Sequence, residues 1–392
     1  MAEQLPGYGE AMAARGSTSN IPSLTGVRGI AALWVLVYHL QSFSHQLGIG
    51  ALGSVPLLRG GWAGVDLFFV LSGFVLMLTH EKQFRALSWE KLGRFAALRA
   101  LRIYPVSTAV LLMILALVTI DAAFRTWFAQ AAVPTNLTAT AFVRTLFLAN
   151  RWWLPADGDW NQPTWSLSAE LVGYVAFPFI AVVATRIRNR PALIAMAIVC
   201  LLFPVMVSFR MSGRLYDDDI FWGALPRMIG SFCGGIVLCR LHRLTPDVWR
   251  TLQGRIADLA LLLVVVDMAI PHASGAAPLL FGLLVYGLAA GRGAANAWFS
   301  TPFSVLLGRI SFPLYLVHVM FILWLAYGLE YYHVPEWGRL LGVPLLLGFC
   351  FGSAWLLHIG IERPAHGFAR ALFERRQAAP PPLTRSEAQA QP

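Results

Sequence analysis

The sequence predicts an all-α, polytopic membrane protein with about ten transmembrane helices. Of its 392 residues, 57% are hydrophobic and only 13% are charged, and the mean hydropathy is +0.62. A soluble chain of this length needs more polar residues to cover its surface, because about a quarter of the residues in an average soluble protein are charged. The apolar stretches also lack the alternation over roughly ten residues that a membrane β-barrel shows.

Hydropathy windows of about 19 residues give the spans in chain order. They cover residues 28–46, 62–80, 104–122, 166–184, 191–209, 222–241, 256–272, 275–291, 302–327 and 339–361. An even number of spans puts both ends on one side of the membrane. Most of the 30 basic residues fall in the tails and connections of that side, so both termini are predicted to be cytoplasmic.

Three regions follow from this pattern. Residues 21–366 form the predicted membrane domain, residues 1–20 a flexible tail and residues 367–392 a disordered cytoplasmic tail rich in Ala, Pro and Gln. The four cysteines lie in apolar stretches without a CxxC pair, so no metal site is expected. The net charge of +10 is first an orientation signal and only second a sign of anionic partners.

The first span carries Arg28 and His39 on one face, because 11 residues bring a helix back to within roughly 20° of the same direction. They lie about 16 Å apart along the axis, with Arg28 at the cytoplasmic edge and His39 near mid-membrane. A histidine there can take a proton from a hydroxyl, or can simply bond to a neighbouring helix.

The second span places Asp66 in the outer half of the membrane, where a buried carboxylate needs a partner such as His39 or an arginine. The basic connection that follows ends with Arg99 and Arg102, which share a helix face at i and i+3. Paired guanidinium groups can hold a phosphorylated ligand bidentately. The inside-positive charge bias explains this cluster equally well.

The connection over residues 123–165 is predicted to be external. Its tryptophans suit either an interfacial belt, which we favour, or a sugar-stacking lid: Trp152, Trp153, Trp160 and Trp165, beside Asp157 and Asp159. The fourth span follows with Ser166, Glu170 and Tyr174 in one polar stripe. Ser166 or Ser168 can cap this helix. Glu170 lies too far along it for that role and is the better functional candidate.

The ninth span contains Pro313, which predicts a kink that exposes carbonyl groups to a cavity. The polar residues around it predict one wall of that cavity: Arg309, Ser311, Tyr315 and His318. The tenth span closes with Glu362-Arg363-Pro364, where a proline is expected to end the helix. The chain contains no Walker, HExxH or GxSxG motif.

Six motifs in this order resemble the acyltransferase 3 family of integral membrane O-acyltransferases, which includes bacterial O-antigen and exopolysaccharide O-acetylases. They are Arg28 with ten residues before His39, FFVLSGF at 68–74, RALRIYP at 99–105, WSLSAE at 165–170, GRISFPLYLVH at 308–318 and the closing ERP. The resemblance covers about residues 20–366. Many relatives carry a further C-terminal hydrolase-like domain, for which this sequence has no counterpart after its last span.

The resemblance implies transfer of an acyl group, usually acetyl, from cytoplasmic acetyl-CoA to a hydroxyl of a carbohydrate, glycolipid or metabolite. It assigns the Arg-x10-His element to Arg28 and His39 and the RxxR element to Arg99 and Arg102. Its SLSxE stretch falls on Ser166, Ser168 and Glu170. It places the protein in the bacterial inner membrane, with the lipid bilayer and no nucleic acid as partner.

The mechanism keeps several alternatives open. His39 is the expected general base or a transient acyl carrier, and Glu170 or Asp66 orients it or receives the proton. Arg28, Arg309 or Tyr315 is expected to stabilise the oxyanion, with Arg99 and Arg102 holding the CoA phosphates. A transporter of acyl groups or acylated sugars is the alternative function, and a membrane sensor or scaffold fits the intramembrane charges poorly.

Overall fold

A computed structural model of the chain describes residues 21–50, 54–121, 124–126, 137–152, 159–213, 216, 224–270 and 274–378. Helices are the only regular secondary structure of these residues, which confirms the predicted all-α class. We number the helices in chain order. They are α1 Pro22–Ser42, α2 Gly64–His80, α3 Trp89–Ile120, α4 Ala139–Leu146, α5 Thr164–Arg186, α6 Arg190–Ser212, α7 Ala224–Leu244, α8 Arg250–Ala269, α9 Ala277–Leu288, α10 Ala294–Phe299, α11 Pro302–Tyr331, α12 Glu336–Leu357 and α13 Arg363–Ala378.

Local sequence signals explain several of these helix ends. Ser88 caps α3 by accepting a hydrogen bond from the Lys91 backbone N–H, and Thr301 caps α11 in the same way. Asn189 caps α6, whose other end is closed by Gly213 at a φ of +71°. The helix α11 continues through Pro313 as one element of 30 residues.

Eight helical segments in the described part of the chain are long and apolar enough to cross a membrane. They coincide with eight of the ten predicted spans, so the chain is a multi-pass membrane protein. The other two predicted spans coincide with α8 and α9. Helix α9 has only 12 residues, and α8 carries Asp258, whose carboxylate accepts a 2.7 Å hydrogen bond from the Ala295 backbone N–H. The side on which the termini lie stays a prediction.

The end of the last predicted span differs from the prediction. A π-helical turn over His358–Glu362 joins α12 to α13, and α13 packs against α3. Pro364 lies in the first turn of α13, where the missing N–H of a proline costs least, so it does not end the helix. Residues 367–378, which the sequence analysis assigns to the tail, belong to α13 in the structure. The predicted tails over residues 1–20 and 379–392 lie outside the described residues.

The parallel pair α1 and α11 forms the centre of the fold. A Cβ atom added to Gly29 would lie 2.4 Å from the backbone N of Gly308, and one added to Gly308 would lie 2.0 Å from the carbonyl O of Thr25. Only glycine permits this backbone approach. Helix α2 packs against α1 and α7, while α3 and α5 close the space on the other side of α2.

Candidate active site

A cavity of about 410 Å³ lies between α1, α2, α3, α5 and α11. It follows α2 from His80 to Val65, a distance of about 22 Å at 1.5 Å per residue. Eight of the predicted site residues line it: Arg28, Arg99, Arg102, Ser166, Glu170, Tyr174, Ser311 and Tyr315. The structure thus brings together polar residues from three predicted spans and from the basic connection, which is the N-terminal part of α3.

Arg99 and Arg102 line the same part of the cavity as His80, a residue that the sequence analysis did not select. The Nε atom of Arg99 is buried and has no hydrogen-bond partner among the described residues. The same guanidinium group lies 5.7 Å from the ring centroid of Phe95. A buried donor of this kind normally has an acceptor, so this end of the cavity suits an anionic ligand.

Arg28 extends from α1 to α11. Its Nε donates a 2.9 Å hydrogen bond to Ser311 Oγ and its Nη2 donates a 2.6 Å bond to the carbonyl O of Gly308. Ser311 Oγ in turn donates to the same Gly308 carbonyl at 2.9 Å. Because these bonds fix the guanidinium group against α11, Arg28 holds a positive charge at a defined depth of the cavity wall.

The polar stripe of α5 faces the cavity. Tyr174 Oη donates a 2.7 Å hydrogen bond to Glu170 Oε1. At the far end, the hydroxyls of Ser166 and Tyr315 lie 2.9 Å apart, and both bond to the carbonyl O of Pro163, at 3.0 and 3.1 Å. The cavity thus ends at two neighbouring hydroxyl groups from two different helices.

His39 and His318 form a pair next to this end but do not line the cavity. The Nε2 atom of His318 lies 3.2 Å from Nδ1 of His39, and the ring centroids are 4.9 Å apart. His318 is buried and its ring lies 5.8 Å from that of Tyr315. Tyr315 therefore stands between the cavity and the two histidines.

Asp66 has an arginine partner rather than His39. Arg227 donates two hydrogen bonds to its carboxylate, from Nε at 3.0 Å and from Nη2 at 2.8 Å, and Tyr216 Oη donates a third at 2.8 Å. Burial beside this carboxylate raises the pKa of the Tyr216 hydroxyl well above its usual range, so the group stays protonated. The guanidinium carbon of Arg227 also lies 5.0 Å from the Trp62 ring and 5.2 Å from the Trp165 ring.

Two further candidates lie away from the cavity. Ser168 Oγ accepts a 3.0 Å hydrogen bond from the Arg151 backbone N–H, which joins the connection before α5 to that helix. Arg309 is exposed on the outer side of α11, because the neighbouring Gly308 and Ile310 occupy the buried face. Arg309 does not line this cavity, and the sequence offered no signal for which side of α11 it occupies.

Two of the four tryptophans predicted for an interfacial belt pack inside the bundle, whereas Trp152 is 42% exposed. Trp160 and Trp165 are 7% and 6% exposed, and Trp160 Nε1 donates a 3.1 Å hydrogen bond to the Thr138 carbonyl O. Asp159 accepts hydrogen bonds from Asn150 and Arg151, both at 2.5 Å. The favoured interfacial interpretation is wrong for these two tryptophans, whereas Trp153 and Asp157 lie outside the described residues.

Across the residues that the structure covers, no group of three or more His, Cys, Asp or Glu side chains is arranged to hold a metal ion.

The comparisons with known proteins agree on one family. Residues 21–359 match the family model described as an acyltransferase domain. The chain is 31% identical to acyltransferase MdmB of Streptomyces mycarofaciens over 92% of this chain and 95% of that protein. It is 29% identical to a putative O-acetyltransferase of Staphylococcus aureus over 41% of this chain and 25% of the relative.

A third relative is the peptidoglycan O-acetyltransferase OatA of Listeria monocytogenes, 27% identical over 60% of this chain and 37% of that protein. The chain thus spans less than half the length of these two O-acetyltransferases. No solved structure matches it. The family model covers most of the membrane bundle, and MdmB is similar along nearly the whole chain. This membrane enzyme therefore belongs to the acyltransferase 3 family.

Proposed function

We propose that this membrane O-acyltransferase takes an acyl group, in the simplest case acetyl, from cytoplasmic acyl-CoA and transfers it to a hydroxyl of a carbohydrate-type acceptor. In this proposal the protein lies in the bacterial inner membrane with both termini in the cytoplasm. The observation that carries the proposal is the shape of the cavity. It has guanidinium groups at one end, about 22 Å of mainly apolar wall, and hydroxyl groups beside a histidine pair at the other end.

The arginine end supports a phosphorylated donor. Arg99 and Arg102 lie one turn apart on α3, and Arg28 adds a third positive charge from α1. Guanidinium groups bind phosphate oxygens in a fork-like geometry, and the unpartnered Nε of Arg99 offers one such donor. CoA carries its phosphates at one end and its thioester at the other, joined by a long, flexible arm. An elongated cavity suits that shape.

The opposite end supports acyl transfer. In the proposed step, His39 takes the proton of the acceptor hydroxyl as its oxygen attacks the thioester carbonyl carbon. The bond between carbon and sulfur then breaks, and CoA leaves as a thiolate that takes up the proton received by His39. The hydroxyls of Ser166 and Tyr315 are the proposed donors to the oxyanion, and each would turn its proton from the Pro163 carbonyl to the oxyanion as the charge develops. Glu170 is proposed to orient Tyr174 in the cavity wall, because it accepts the hydrogen bond of the Tyr174 hydroxyl.

The acceptor class is inferred from the relatives. One of them is named for O-acetylation of peptidoglycan, a carbohydrate polymer with free hydroxyl groups. His39 is half-buried and does not line the cavity, so the acceptor is proposed to reach it from outside the cavity. A sugar hydroxyl that approaches from that side would meet His39 before it meets the thioester.

The decisive experiment measures transfer from labelled acetyl-CoA by the purified protein in lipid nanodiscs. An Arg99→Ala/Arg102→Ala variant is expected to raise the KM for acetyl-CoA by at least 10- to 100-fold, because each charge-assisted hydrogen bond is worth about 1.5–3 kcal/mol. Arg85→Ala is the matched control, because Arg85 is exposed in the same connection and does not line the cavity. An unchanged KM in the double variant contradicts the donor site. Full transfer by a His39→Ala variant contradicts the proposed base.

A further inference from the structure

The histidine pair results from the register of two helices. Gly29 of α1 meets Gly308 of α11, and His39 and His318 each lie ten residues further along their own helix. Because α1 and α11 are parallel, residues that lie ten positions beyond the two glycines also face each other. The side chains of His39 and His318 therefore meet about 15 Å further along both helices. This register places His318 Nε2 3.2 Å from His39 Nδ1.

The neighbouring carbonyl groups fix the protons on both rings. His318 Nδ1 lies 2.7 Å from the carbonyl O of Tyr315, and a carbonyl only accepts, so this nitrogen carries the proton of the neutral ring. His318 Nε2 is then an acceptor. His39 Nδ1 lies 2.9 Å from the carbonyl O of Val35, so it also carries a proton and donates to Val35 and His318. This assignment follows from the hydrogen-bond network.

The assignment leaves the Nε2 atom of His39 unprotonated. This nitrogen is the one able to take a proton from a hydroxyl. When it does so, the ring becomes positively charged, and the hydrogen bond from Nδ1 to His318 Nε2 becomes charge-assisted and stronger. His318 therefore interacts more favourably with the protonated ring that forms during transfer than with the neutral ring that precedes it.

We propose that His318 is a positioning residue for His39: together with the Val35 carbonyl it holds the ring in the tautomer with the proton on Nδ1, and it stabilises the protonated ring. This inference rests on the proposed role of His39 as the base. Tyr315 links the parts, since its carbonyl orients His318 while its hydroxyl ends the cavity.

The test compares His318→Met with His318→Gln in nanodiscs. Methionine has a similar length but no strong acceptor, and kcat is expected to fall about 10- to 100-fold with the KM for acetyl-CoA unchanged. Glutamine offers a carbonyl oxygen to His39 Nδ1 and is expected to restore kcat to within about tenfold of the parent. His45→Leu is the control, because His45 is an exposed histidine just beyond α1.

Several outcomes overturn the proposal. Parental kcat in a folded Met variant removes His318 from the mechanism, and equal losses in the Met and Gln variants contradict the acceptor role. If the KM for acetyl-CoA rises in the Met variant as much as kcat falls, His318 has a packing role instead. If the Met variant does not fold, His318→Asn replaces it, since that amide is too short to reach His39. Absence of transfer by the parent protein contradicts the proposed function itself. That outcome differs from a failure of the His318 proposal, in which the parent is active and the variants do not behave as expected.

Discussion

Replacing Asp66 by asparagine tests whether the buried Asp66 and Arg227 pair serves the fold or the chemistry. Asp66 is 0% and Arg227 3% exposed, and two hydrogen bonds of 2.8 and 3.0 Å join them. Asparagine keeps the size of the side chain but removes its charge. Arg227 would then be a buried cation whose contacts among the described residues, with Tyr216, Trp62, Trp165 and the new amide, carry no negative charge.

The expected cost follows from this geometry. Removal of one partner of a buried ion pair typically costs 3–5 kcal/mol, because the remaining charge has neither water nor a counter-ion. Asparagine can still accept one hydrogen bond from Arg227, so we expect about 3 kcal/mol. That corresponds to a change of about 100-fold in the unfolding equilibrium. The variant that remains folded should keep its kcat, because neither residue lines the cavity.

The assay combines unfolding in mixed micelles with turnover of the folded fraction. A double variant, Asp66→Leu/Arg227→Met, is the control, because apolar replacement of both partners of a buried pair is often neutral. We expect it to regain most of the lost stability. The reasoning is refuted if Asp66→Asn unfolds like the parent but loses turnover, since Asp66 would then act in catalysis.

Three further predictions follow from the described contacts. Gly308→Val should abolish activity and lower the unfolding midpoint, because its Cβ meets Thr25 at 2.0 Å, whereas Gly352→Val, with open space around it, should be tolerated in both measurements. Arg309→Gln should leave KM and kcat unchanged, because the side chain is exposed; a rise in KM would place it in the donor site after all. Ser168→Ala should cost about 1–3 kcal/mol in unfolding with KM unchanged, because it removes the hydroxyl that accepts the 3.0 Å hydrogen bond from the buried Arg151 N–H; equal stability would contradict this.

The sequence was sufficient for features that depend on one helix. Spacing at i and i+4 identified the stripe of Ser166, Glu170 and Tyr174, and all three line the cavity. Hydropathy located the helices because the bilayer imposes a minimum apolar length. These inferences need only the number of residues per helical turn and the apolar thickness of the bilayer.

Features that depend on two helices were harder to predict. Asp66 required a partner, but its choice of Arg227 over His39 depends on how α7 packs against α2. The register of α1 against α11 decides that His39 meets His318. Arg309 shows the same limit, because hydropathy places it in a span without saying which side of that helix faces the bundle.

The residues proposed to act in acyl transfer lie on different helices from the apolar residues Val65 and Phe68. Helices α1 and α11 carry Arg28, Ser311, Tyr315 and both histidines, and the close contact at Gly29 makes them one rigid unit. The opposite wall, from α2, is lined by apolar side chains that include Val65 and Phe68. Engineering for bulkier acyl groups can therefore begin with a smaller residue at Val65, whereas Phe68 packs against the ring of Tyr315, with 5.7 Å between the ring centroids.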